Sequence, residues 1–136
     1  MRTGRPVMIT RIAIVAAMVI SCCGCGAGQR EADSRSAAAG FLAAMGDGDT
    51  GAACALLADA TRENLEYSEG KPCAAALESV DISGGEVGEV AVWGDRAQAR
   101  ASAGTLFLVQ LDAGWRVTAA GCERSGDGGY DCVLAA

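Results

Sequence analysis

A chain of 136 residues, 51% of them hydrophobic, is long enough for one domain with its own core and too short for two. It carries eleven basic and seventeen acidic residues, a formal charge of −6, which argues against nucleic acid as a partner. Histidine is absent, so a Ser-His-Asp triad, a Cys-His pair and a histidine proton shuttle are all excluded, and an aromatic content of 4% speaks against stacking on bases or sugars.

The chain opens with Arg2, Arg5 and Arg11 ahead of the apolar stretch "IAIVAAMVI" (residues 12–20), which is followed by the small residues Ser21 and Gly24. That is the layout of a secretory signal. Nine apolar residues rise only about 14 Å as a helix, against a hydrocarbon core of roughly 30 Å, so this is not a spanning segment. At its end Val19-Ile20-Ser21-Cys22 resembles the bacterial lipobox, in which a small residue precedes a cysteine that receives a diacylglyceryl thioether before cleavage. Residues 1–21 are therefore expected as a signal peptide, with Cys22 as the lipidated N-terminus.

Two other accounts of "VISCCGC" are an ordinary cleaved signal and a metal site built from Cys22, Cys23 and Cys25. The second is disfavoured by the crowding of the thiols and the lack of histidine. Removing residues 1–21 leaves eight basic and seventeen acidic residues, a charge of −9. Attachment must then come from acyl chains of the palmitate type on Cys22 rather than from a basic patch, with the protein on the extracytoplasmic face of the cell membrane.

Residues 24–35, "GCGAGQREADSR", are small and polar without apolar periodicity, so residues 22–33 are expected as a flexible tether and 34–136 as the folded domain. Asp33 or Ser34 can cap a first helix carrying Ala38, Phe41, Leu42 and Met45 on one face. "GDGDTG" (46–51) then turns the chain. It lacks the closing glutamate of a calcium loop, and Asp49 or Thr50 caps a second helix that continues or kinks near Asp59 into "TRENLEY". Gly70 breaks that helix, and Pro72 opens a third with Cys73, Ala76, Leu77 and Val80 as its stripe.

After "SGGE" (83–86) the period becomes two. Val90 and Val92 alternate with polar or small residues, "GD" turns into "RAQARA", and "TLFLVQL" (105–111) is apolar on both faces, as in a central strand covered on both sides. In "WRVTA", Trp115, Val117 and Ala119 are expected to face one way, and "YDCVLA" adds an edge strand. The sum is an α+β domain, with N-terminal helices packed on a curved antiparallel sheet.

With "FLAAMGDGDTGAACALLAD", "KPCAAAL" and the ending from Trp93 to Cys132, residues 34–134 resemble the small actinobacterial lipoproteins with a nuclear-transport-factor-2-like (NTF2-like, or SnoaL-like) cone domain. The resemblance implies a cone fold with a concave pocket between helices and sheet, and no particular activity, since that fold hosts both enzymes and ligand binders.

Cys54, Cys73, Cys122 and Cys132 form an even set with three possible pairings, and outside the cell they are expected as disulfides. Cys54 with Cys73 and Cys122 with Cys132 is favoured, because the first ties two helices to one sheet face and the second closes the glycine-rich excursion 123–131. Catalytic candidates are weak. Glu66 with Tyr67 fits a solvated helix end, and Asp95 beside Trp93 fits a hairpin turn, so no catalytic, metal or cofactor site is assigned. The expected function is a membrane-anchored, non-catalytic binding module for a small apolar ligand or an envelope protein. The alternative is an isomerase or hydrolase of the cone fold that uses a cavity carboxylate.

Overall fold

The computed structural model describes residues 25–82 and 84–136, so the expected signal segment and Cys22 lie outside the described residues. Helix α1 spans Cys25–Asp47, starting well before the expected cap at Asp33 or Ser34. The stretch expected as a flexible tether is therefore helical from Cys25 onward. The cause is local, because Gln29, Arg30, Glu31 and Ala32 are helix formers strong enough to carry the flanking glycines. Pairs one turn apart add to this: Gln29 Nε2 donates to Asp33 Oδ1 at 2.8 Å, and Arg35 Nη2 meets Glu31 Oε1 at 3.5 Å. Ser34 is no cap but a fully buried residue inside the helix, its hydroxyl donating to the Glu31 carbonyl.

Helix α2 (Thr50–Ala55) is capped as expected, the Asp49 carboxylate accepting the Ala52 N–H at 3.1 Å. It does not run on into "TRENLEY". The chain leaves the helix at 56–58, where Leu56 O accepts from Val117 N and Ala58 N donates to Val117 O, both at 2.8 Å. These sheet-type bonds satisfy backbone groups at a strand edge and outcompete three more residues of helix. Helix α3 (Asp59–Glu69) then ends at Gly70 in the left-handed conformation, and α4 (Cys73–Leu77) follows Pro72. Glu66 Oε1 accepts the Cys73 N–H at 2.9 Å, satisfying one donor at the start of α4.

The second half is a five-stranded antiparallel meander in sequence order: β1 (Val87–Trp93), β2 (Arg96–Ala101), β3 (Gly104–Leu111), β4 (Gly114–Arg124) and β5 (Tyr130–Ala135). The helices cover one face, with α1 lying across β1 to β4 and α3 against β4 and β5. Phe41, Leu42, Leu77, Leu106, Leu108 and Val117 are all fully buried between the two layers. Ala97 and Ala99 of β2 point the same way, and their small side chains let the helices sit close.

Two expectations for the sheet are corrected. The central strand β3 is covered by helices on one face only: Leu106 and Leu108 enter the core, whereas Phe107 is half-buried on the other face. In β4, Trp115 and Val117 face inward as expected, but Ala120 takes the place expected for Ala119. The pairing steps from Leu108–Val117 to Phe107–Ala119, placing two residues of β4 against one of β3 and reversing the alternation there. A further irregularity follows at Gly121, whose φ of 63° is open to glycine and where a Cβ would meet Val133 Cγ2 at 3.0 Å.

Candidate functional site

Both disulfides are present. Cys54–Cys73 joins α2 to the first residue of α4 across a separation of 19 residues. Cys122–Cys132 joins two directly paired residues of β4 and β5 across a separation of 10. The latter lies beside an open cleft of about 560 Å³ lined by Asp81, Ile82, Gly121, Glu123, Asp131 and Val133. A second cleft of about 460 Å³ runs along the neighbouring surface past Arg100, Thr105, Arg124 and Tyr130. These clefts flank the β4–β5 hairpin at the rim of the sheet. The space between helices and sheet, where the resemblance implied a pocket, is occupied by the apolar side chains of the core.

The sheet face turned away from the helices carries an ordered cluster that sequence inspection did not single out. Tyr130 meets Phe107 edge to face, with ring centroids 5.0 Å apart, and accepts a hydrogen bond from Gln98 Nε2 at 3.1 Å. The Arg124 guanidinium lies 5.7 Å from the centre of the Tyr130 ring. The signal for the cluster was the alternation in "RAQARA", which turns Arg96, Gln98 and Arg100 outward. What the sequence did not disclose was that Tyr130, more than thirty positions later, reaches Gln98.

The catalytic candidates weighed from sequence do not converge. Tyr67 is 89% exposed on α3, and Glu66 next to it is engaged with the Cys73 N–H. Asp95 sits in the β1–β2 turn, 3.6 Å from Arg96 Nε. Asp49, from "GDGDTG", serves as the helix cap. One carboxylate departs from its ordinary behaviour: Asp127 is held below 3.8 by the Ser125 hydroxyl and then the Gly129 N–H, both donating to it within the β4–β5 turn. Its setting is a fully exposed loop, not a cavity.

Among the described residues, no group of three or more potential ligands is placed to hold a metal ion, and no helix is long and apolar enough to cross a membrane. No protein-family model, curated protein or solved structure matches the chain.

Proposed function

We propose that the chain is a cell-envelope lipoprotein, held on the extracytoplasmic face of the membrane by acyl chains on Cys22, and that its NTF2-like cone domain is a non-catalytic module binding an envelope partner. The observation that carries the anchoring is "VISC" directly behind a basic segment and nine apolar residues. The helices gathered on one face of a bulged five-stranded sheet support the cone, and two disulfides suit an oxidising compartment.

Binding by surface rather than by cavity is favoured by the filled helix–sheet interface together with the partly exposed Phe107–Tyr130 cluster on the other face. Non-catalytic action is favoured because Glu66 and Asp95 are engaged in local structural contacts.

The test is metabolic labelling with a fatty-acid analogue. The wild-type chain takes up label and is cleaved, whereas Cys22→Ala stays as an unlabelled precursor. Normal labelling and membrane delivery of the variant would overturn the assignment.

A further inference from the structure

The first strand runs back along the first helix. Gly84 packs on the C-terminal part of α1, so close that a Cβ on either Gly46 or Gly84 would meet the other's Cα at 3.2 Å. A few residues later, the Arg35 guanidinium reaches the carbonyls of Val87 and Gly88. The chain from Gly84 into β1 thus heads toward the N-terminus of α1. Five further residues of strand carry it about 16 Å to Trp93, and ten residues of helix carry α1 about 15 Å from Arg35 back to Cys25. Trp93 and the first turn of α1 are therefore at the same end of the domain.

The register fixes what else stands at that end. Trp93 pairs with Arg96, Arg96 with Val109 and Val109 with Arg116, so these four residues form one row on the face of the sheet turned away from the helices. Leu111 lies two residues beyond Val109 on that same face. The β1–β2 and β3–β4 turns are adjacent, since Gln110 N donates to Asp95 O at 2.7 Å. Trp93 and Leu111 are 50% and 44% exposed, two of the four large apolar side chains that the described domain leaves in solvent.

We propose that this rim, Trp93 and Leu111 flanked by Arg96 and Arg116, rests on the surface of the bilayer that holds the anchor. The inference builds on lipidation at Cys22. From Cys22 to Cys25 is three residues, at most about 11 Å of chain, and from Cys25 onward the link to the domain is continuous helix rather than slack tether. A short reach and a rigid helix bring this end of the domain, and no other, down to the headgroups.

Its chemistry fits that occupant. Tryptophan partitions to the membrane–water interface, and arginine keeps its head among the phosphates while its stem lies on apolar surface. The charge distribution fits as well. Around the rim and the first two turns of α1, Arg30, Arg96 and Arg116 are matched by Glu31, Asp95 and Asp112, so the excess of −9 lies on the rest of the domain. This neutral end is the one that an anionic bilayer repels least.

The test uses the lipidated protein reconstituted into vesicles of phosphatidylcholine and phosphatidylglycerol, with or without bromine on the acyl chains near the headgroup. The chain has two tryptophans, and Trp115 is buried. Brominated vesicles are expected to quench Trp93. Trp93→Phe should abolish the quenching, and Leu111→Glu should shift Trp93 emission to the red with the Trp115 contribution unchanged. Equal Trp93 emission in both kinds of vesicle, with fatty-acid label co-sedimenting with the protein, would overturn the seating while leaving the anchor standing. A protein that carries no label at Cys22 would overturn the anchor, and the seating with it.

Discussion

The two faces of the sheet share one backbone and meet different surroundings. On the covered face Val90, Ala99, Leu106, Ala120 and Leu134 are all buried under the helices. On the other face Arg96 and Arg100 are exposed, Gln98, Phe107 and Tyr130 are partly covered by one another, and Trp93 stands half in solvent. Alternation alone separates the two sets. The same residue type should therefore contribute very differently on the two sides, and the domain's stability should reside in the covered face.

The largest expected effect tests the covered face directly. Leu106→Ala removes a fully buried side chain in the middle of the central strand and should cost about 3 to 5 kcal/mol in a chemical denaturation experiment. A loss below about 1 kcal/mol would mean that the helix layer is not packed as described.

Next is the cover itself. Helices α2 and α4 have 6 and 5 residues, too short to persist alone, and Cys54–Cys73 ties them together. Replacing both cysteines with serine should lower stability by about 3 kcal/mol, with hydrogen exchange accelerating first in these two helices. In the corresponding Cys122→Ser, Cys132→Ser chain, the β4–β5 amides should keep their protection, because the ladder on either side of that bond stands without it. Loss of the β5 protection would break this contrast.

A pair of identical substitutions then compares the faces at one residue type. Ala99 is fully buried beneath the helices, so Ala99→Leu should overpack and cost about 1 to 3 kcal/mol. Ala91, one strand away and exposed, should accept leucine with a change within about 0.5 kcal/mol. Equal costs would mean that small residues in these strands do not set the helix–sheet spacing.

The smallest effect lies outside both faces. Asp127 has its folded-state pKa depressed by the Ser125 and Gly129 donors, so its contribution to turn order is complete above about 3.8 and is lost as pH falls through the lower folded value. A carboxyl-carbon titration by NMR should show a midpoint below 3.8, and Ser125→Ala should raise it. An unchanged midpoint in that variant would remove the hydroxyl as the main cause.

Much of the architecture was legible because its signals are local. The change from helical to twofold periodicity after Glu86 marked where helices give way to strands, Asp49 and Gly70 marked helix ends, and "GD" marked a hairpin. One error was local, and the others fell where one element acts on another. The extent of α1 depended on pairs one turn apart that outweigh glycine. The break at 56–58 depended on Val117 offering its backbone groups some sixty residues away. The reversal at Ala119 and Ala120 depended on a bulge that no alternation pattern announces.

The same division holds for function. The order of the elements and the candidate attachment point at Cys22 follow from residue types and short spacings, because capping, turn formation and signal recognition each read a few consecutive residues, whereas the four cysteines left three pairings open with one favoured. Which strand face lies under the helices, how Tyr130 finds Phe107 and Gln98, and which end of the sheet shares its level with the first turn of α1 were decided by tertiary structure. These depend on register and on the direction in which β1 returns along α1, and both are set only when distant surfaces bury one another.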